Sequence, residues 1–232
     1  MASFEKSYLK TMRTEGACNF SPHDLGNVVV SGACTCPTYS GIAPIFHPGW
    51  PGFRYIKEVI AGMPRKPPYG TDAFKTWKRQ LDKTLAASPV VQNLVRAFYM
   101  TNFWDANRLG EIVSQDVADW AFDHAVNAGG RGIKWAQLAA RVKPDGGIGP
   151  ITLKAINAMP PREFLERAAD IAGKHRLDVA ESNTSQVPWL TSWLERDGQP
   201  PEIIAMVKAA ARDGRIDERE EAELGAAMDA TP

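Results

Sequence analysis

Ten glycines and prolines crowd the segment from Pro22 to Gly52: Gly26, Gly32, Gly41, Gly49 and Gly52, with Pro22, Pro37, Pro44, Pro48 and Pro51. Proline removes a backbone donor and glycine weakens regular structure, so no long helix can run through this stretch. It reads as loops and short extended pieces, with Val28-Val29-Val30 as a short strand and Ser31-Gly32 as its turn. On both sides of it the pattern is helical. Residues 3–16 place Phe4, Tyr8 and Met12 at four-residue spacing, and Gly16 follows as a stop signal. After Tyr55, helices are expected over 56–61, 72–87, 90–104, 116–128, 133–142, 149–157, 161–179, 187–195, 202–212 and 217–228. Arg65-Lys66-Pro67-Pro68 forms a stiff connector, Ser88-Pro89 a helix start, and Gly129-Gly130-Arg131-Gly132 a break. The fold class is therefore mainly α, with a small loop and short-strand region near the N-terminus and a C-terminal helical hairpin. A boundary is expected at Asp197-Gly198-Gln199-Pro200-Pro201, where two prolines after a glycine suit a linker.

A chain of 232 residues can bury one sizeable core, or a larger core with a small appendage. Its 27 basic and 27 acidic side chains cancel, so no global field favours a nucleic-acid or anionic-membrane partner. No apolar run approaches the roughly 18 residues of a transmembrane segment. The start, MASFEKSYLK, carries no apolar signal core, so synthesis in the cytoplasm is expected. Cys18, Cys34 and Cys36 lack the paired spacing of a zinc site; one disulfide from Cys18 plus a free thiol, or three reduced thiols, both fit. In the tail, aligning Gly214 with the sixth position of a calcium loop puts Ala209 and Ala211 where oxygen ligands are needed. No metal or cofactor is expected.

The chemistry-bearing candidates start at Glu15. At about 100° per helical residue, it lies roughly 20° from Phe4 and roughly 20° from Tyr8 around the axis, within the apolar stripe. A carboxyl group buried without a cationic partner is held protonated and can act as a general acid. A helix-end glutamate can equally turn to solvent or cap the next loop, and periodicity alone favours that plainer role. Asp24, nine positions on beyond the polar loop 19–23, supplies a second carboxylate. Glycoside hydrolysis commonly uses such a pair, one acid protonating the leaving oxygen and one carboxylate activating water. Asp24-Leu25-Gly26 is also an ordinary turn.

Several motifs then fall in order: Glu15-Gly16; His23-Asp24-Leu25-Gly26-Asn27; Thr38-Tyr39-Ser40-Gly41-Ile42-Ala43; Phe103-Trp104-Asp105; and Phe122-Asp123-His124-Ala125-Val126-Asn127. Together they resemble glycoside hydrolase family 108, the phage and prophage type of N-acetylmuramidase. Ile133-Lys134-Trp135, Gln137-Leu138 and Asp145-Gly146-Gly147-Ile148-Gly149-Pro150 resemble the predicted peptidoglycan-binding region associated with it. The resemblance covers most of residues 4 to about 196 and implies a lysozyme-like helical fold. It implies Glu15 as catalytic acid, Asp24 as its partner carboxylate and Thr38 as the hydroxyl that positions the attacking water. Tyr39, Trp104 and Asn127 are the substrate-binding candidates; a core position for Tyr39 and a helix-end role for Asn127 remain open. The Asp145 loop is expected to be structural. The family pattern is departed from at Gly16-Ala17-Cys18, at Asn27, where the pattern has a second glycine after Gly26, and by an insertion, 28–36, ahead of Thr38.

The resemblance thus implies a muramidase cutting the β-1,4 bond between N-acetylmuramic acid and N-acetylglucosamine, with inversion, and peptidoglycan glycan strands as its partner. Residues 1–105 would form the catalytic region, 106–198 a helical peptidoglycan-binding-like region, and 199–232 a C-terminal hairpin. The alternative is a non-catalytic wall-binding or secretion-assisting protein of the same fold, motivated by the altered 16–18 segment and the insertion. Action in the periplasm or on the wall would need a holin-type pore or a secretion system. A phage endolysin and a secreted effector with an immunity or delivery partner both fit.

Overall fold

A computed structural model describes residues 1–12 and 17–230. Among these, eleven α-helices dominate and the strands are short. In chain order they are α1 (Phe4–Met12), β1 (Cys18–Asn19), β2 (Val28–Val30), β3 (Ala33–Cys36), β4 (Thr38–Tyr39), α2 (Gly52–Ala61), α3 (Asp72–Ala86) and α4 (Pro89–Tyr99). Then come α5 (Gln115–Ala128), α6 (Gly130–Ala139), α7 (Pro150–Ala158), α8 (Pro161–Ser182), α9 (Val187–Asp197), α10 (Pro201–Ala210) and α11 (Glu218–Ala230). The mainly α class expected from the sequence, with a small strand region near the N-terminus, is what the chain adopts. It divides into two compact units: Tyr8–Trp104, and Met1–Ser7 together with the chain from Asp105 onward.

In the Tyr8–Trp104 unit, two antiparallel ribbons lead into helices α2 to α4. β1 pairs with β4, Cys18 opposite Tyr39 and Asn19 opposite Thr38. β2 pairs with β3 around a two-residue loop, Ser31-Gly32, both at positive φ (51° and 75°), as a tight hairpin turn of matching twist requires. Helix α3 anchors β1, because Asp82 accepts the Cys18 backbone N–H at 3.1 Å and its other oxygen takes the Lys78 ammonium at 2.6 Å. Phe20 packs edge-on against Phe74 and Trp77, with ring centroids 5.7 and 5.6 Å away. Helix α2 starts four residues earlier than the 56–61 expectation. Pro51, with φ of −65°, already holds the backbone for a first turn, and the Trp50 indole occupies the space where a Cβ of Gly52 would sit. Gly52 is therefore a packing glycine. The segment expected as helix to residue 104 leaves α geometry at Tyr99 and continues as a wider, π-type turn over Met100–Asp105.

In the other unit, α5, α6, α8 and α9 pack around Phe122, Phe164, Ala172 and Leu190, all fully buried. The N-terminal arm is bound to α5: Phe4 meets Phe122 edge-on at 5.8 Å, and Ser7 donates to Asp119 at 2.6 Å. Gln115 ties the same corner, accepting from the Ser3 N–H at 2.7 Å and donating to Asp119 at 2.6 Å. Ile203, Val207, Ile216, Leu224 and Met228 of the C-terminal segment share one core with Leu177, Leu190 and Leu194. At the end of α9 lies a buried carboxylate. Asp197 faces His124 Nε2 at 3.0 Å and Arg176 Nε at 3.4 Å, while its carbonyl accepts the Trp120 indole N–H at 3.0 Å. His124 Nδ1 meets the Trp120 carbonyl at 2.8 Å, so both imidazole nitrogens face oxygen atoms.

The expected break at 129–132 is shorter than the sequence suggests: Gly129, with φ of 58°, makes the turn, and Gly130 already opens α6. Gly132 lies inside α6, where a Cβ would stand 2.2 Å from the His124 carbonyl oxygen. That glycine lets two helices touch backbone to backbone.

Two outcomes follow. Gly132→Ala gains up to about 1 kcal/mol of helix propensity but collides with a main-chain oxygen. The expected net is a loss of about 1–3 kcal/mol, read as a lower urea midpoint at unchanged m. Gly130→Ala, whose methyl meets open space, is the control that keeps full stability. The second outcome concerns the three cysteines, all buried and unbonded. Burial, opposed by Lys66, pushes the Cys34 thiol from its ordinary 9.0 up to about 11, and burial raises Cys18 and Cys36 too. A raised thiol pKa stabilises the fold below the unfolded value. Stability should therefore fall as pH rises from about 9 to about 11, where only the unfolded chain gives up its protons. At pH 8, alkylation of Cys34 should be roughly 100-fold slower in the native protein than in urea.

Candidate functional site

The β1–β4 ribbon and the loop between β1 and β2 build the site within the Tyr8–Trp104 unit. Asp24 sits half-buried on that loop, and both of its oxygens are held. Oδ1 accepts the Gly26 N–H at 2.8 Å, and Oδ2 accepts the Asn19 side-chain amide. Each oxygen keeps a lone pair for a further donor. Asn19 stands opposite Thr38 in the ribbon, so the residue that grips Asp24 lies across from the hydroxyl expected to work with it.

Thr38 and Asp24 meet at Gly26. A Cβ on that glycine would lie 3.1 Å from Asp24 Oδ1, 3.2 Å from Thr38 Oγ1 and 2.8 Å from the Ala43 methyl. Both oxygens thus converge on one point of the loop, and only glycine fits between them. The Thr38 hydroxyl is buried and has no hydrogen-bond partner among the described residues. A buried hydroxyl left in that state is costly unless a further group completes it, which makes it a natural holder for a polar atom of a ligand or a water.

Asn27 locks the loop. Fully buried, it donates from Nδ2 to the Ser21 carbonyl at 2.9 Å and accepts the Thr38 N–H at 2.6 Å, while its own N–H reaches the Asp24 carbonyl at 3.1 Å. The residue that departs from the family's glycine is the brace between the Asp24 loop and the Thr38 strand. Outside this brace the surface is apolar. Leu25, Ile45 and Phe46 are exposed, and the Ile45 N–H donates to the Gly26 carbonyl at 3.2 Å. Phe46, an exposed aromatic, follows directly on that backbone bond to the Asp24 loop.

The remaining sequence candidates are distributed as follows. Glu15 lies outside the described residues. Tyr39 is adjacent to Thr38 but its ring is buried: it accepts from Gln92 Nε2 at 2.9 Å and stacks near Trp50, with centroids 6.4 Å apart. Trp104 is likewise buried, at the end of the π-type turn. Asn127 belongs to the other unit, where it is exposed on α5 and donates to the Asp123 carbonyl at 2.8 Å in the manner of a helix-interior side chain. Asp145 is a loop brace: Gln137 Nε2 and the Gly147 N–H hold its carboxyl below the usual carboxylate range. Among the described residues no group of histidine, cysteine or carboxylate side chains is arranged to hold a metal ion. None of the described helices is long and apolar enough to cross a membrane.

A family model described as Glycosyl hydrolase 108 matches residues 8–129. The chain belongs to that family. A second model, described as a Predicted Peptidoglycan domain, matches residues 131–197 of this glycosyl hydrolase 108 protein. The two matches make it a glycoside hydrolase that acts on peptidoglycan. Ten solved chains match it in structure. One of them, described as the structure of Brucella abortus SagA, is 19% identical, covers 93% of this chain and 97% of its own, and superposes with a TM-score of 0.50, a likeness of fold. No curated protein matches the sequence.

Asn19, Asn27 and Phe46 are the site residues that sequence reasoning passed over. The glycine-to-asparagine departure at 27 was a signal for the second, and an aromatic confined between Pro44 and Pro48 for the third. Asn27→Ala strands the Ser21 carbonyl and the Thr38 N–H together. It should lower stability by about 1–3 kcal/mol, read by denaturant titration, and should reduce hydrolysis even though Asp24 and Thr38 are both retained.

Proposed function

We propose that this chain is an N-acetylmuramidase, cleaving the β-1,4 bond between N-acetylmuramic acid and N-acetylglucosamine. The observation that carries the reading is the convergence of the Asp24 carboxylate and the unpartnered Thr38 hydroxyl on Gly26. One group there can accept a proton and the other can orient the molecule that loses it. In the reaction Glu15, as carboxylic acid, protonates the glycosidic oxygen while the C1–O bond breaks. Water held by Thr38 attacks C1 from the opposite face and passes its proton to Asp24, and the anomeric configuration inverts. Phe46 supplies an apolar ring for a sugar face beside the loop. Residues 1–105 act as the catalytic region, 106–198 as the wall-binding region and 199–232 as an added hairpin. The enzyme reaches the wall through a pore or a secretion machine.

The test is release of reducing ends from purified peptidoglycan, with the anomer followed by NMR. Glu15→Gln and Asp24→Asn should each lower kcat by about 10²–10⁴, and Thr38→Val by about 10². All three should still sediment with insoluble wall. The product should carry muramic acid at its new reducing end. Wild-type protein that sediments with the wall but releases no reducing ends would overturn the reading in favour of a non-catalytic binder. An undiminished Glu15→Gln would remove that residue from the mechanism.

A further inference from the structure

Beside the Asp24 loop runs a groove of about 710 Å³, within the range that encloses a ligand of several rigid groups rather than a single ion. Two of its wall residues adjoin the segments that carry the chemistry. Phe20 on its wall follows Asn19, the residue that grips Asp24, and Cys34 on its wall belongs to the strand that leads to Thr38. The far wall is the Arg65-Lys66-Pro67-Pro68 connector, stiffened by its two prolines.

The charges that the described residues bring to this groove have one sign. Among the described residues Arg65 and Lys66 are its charged lining residues, and none of them contributes a carboxylate. Their roles differ. The Lys66 ammonium is turned inward, donating to the Cys34 carbonyl and lying 5.3 Å over the Phe20 ring, so it ties the β2–β3 hairpin to the connector. Arg65 is exposed and makes no ion pair among the described residues, which leaves its planar guanidinium ready for a carboxylate. Tyr69 adds a half-exposed ring set against Phe74 at 5.2 Å. The hairpin that closes the groove lies in the segment 28–36, which the family resemblance reads as an insertion.

We propose that this groove takes the carboxylate-bearing stem peptide that peptidoglycan carries on the lactyl group of its muramic acid residues. The inference extends the muramidase reading: a glycan strand lying along Asp24 and Thr38 projects its peptide sideways, and an anionic peptide needs a cation and flat apolar surface. Arg65 pairs with a peptide carboxylate, and Tyr69 and the two prolines cover its backbone. The enzyme then prefers peptide-bearing strands to denuded ones.

Two measurements on the full chain test this. In the first, kinetics are compared on glycan strands with their peptides and on strands stripped of them by an amidase. Wild type should show a KM about tenfold lower on the peptide-bearing strands. Arg65→Glu and Tyr69→Ala, both at exposed positions, should raise KM on those strands alone and leave kcat unchanged. Equal wild-type KM on both substrates, or variants that raise KM equally on both, would overturn the proposal. In the second, calorimetry measures binding of the free synthetic stem pentapeptide and of its form with amidated carboxyls. Binding should be lost in Arg65→Glu and weakened by amidation. If wild type cleaves neither strand, the muramidase reading fails while calorimetry still decides the groove. If the pentapeptide does not bind but polyphosphate does, the groove is a general polyanion site and the peptide assignment falls.

Discussion

The unit that carries the peptidoglycan-domain match is organised around the buried carboxylate of Asp197. Asp197 brings the His124 ring of α5 and the Arg176 guanidinium of α8 to the end of α9, and Arg176 lies between the Trp135 and Trp193 rings at 5.1 and 5.0 Å. A buried ion pair adds little net stability over an apolar packing of the same shape, whereas loss of one partner leaves an uncompensated charge that costs about 3–5 kcal/mol. Its value lies in discrimination. A helix shifted by one turn could still bury leucines and alanines, but it could not give both imidazole nitrogens and both carboxylate oxygens their partners. Trp120, stacked on His124 at 3.7 Å, extends the same constraint into the surrounding aromatic core.

The hydrolytic side depends on a smaller version of this device. Asn27 is an uncharged buried amide that satisfies one loop carbonyl and one strand N–H, and so joins the segment bearing Asp24 to the segment bearing Thr38. A substitution that looks like erosion of the family pattern at this position is a replacement of backbone freedom by side-chain bonding. A glycine loop would have to be held by its neighbours, whereas this one is held by its own side chain. The β2–β3 hairpin has a comparable logic, because Lys66 secures it to the connector.

Helices were legible in the sequence because apolar spacing, Ser-Pro starts and glycine stops act locally. Departures came where a residue's role is decided by something far away in the chain. Gly52 and Gly132 are chemically indistinguishable from turn glycines, and only the Trp50 ring and the His124 carbonyl reveal them as packing positions. Asp24 and Thr38 could be read as chemistry because their residue types and order match a known pattern. Asn19 could not, since an asparagine in a polar loop is ordinary until its partner is known. Tyr39 illustrates the reverse case: an aromatic beside a reactive hydroxyl suits a sugar, yet Gln92, 53 positions away, holds its hydroxyl in the interior.

The N-terminal arm has a bearing on the order in which the chain can mature. Met1–Ser7 belongs with the later unit, and Ser3 and Ser7 find Gln115 and Asp119 more than a hundred residues downstream. The 8–104 unit is thus threaded as an insert between the two pieces of its companion. During synthesis it can be complete while the first seven residues still wait for α5 to emerge from the ribosome. A contact of such sequence separation forms late, after its loop entropy has been met by other packing. The closing of the second unit is therefore tied to the very start of the chain, and a polypeptide cut at the 104–105 junction yields one nearly intact body and one that lacks its own first strand of contacts.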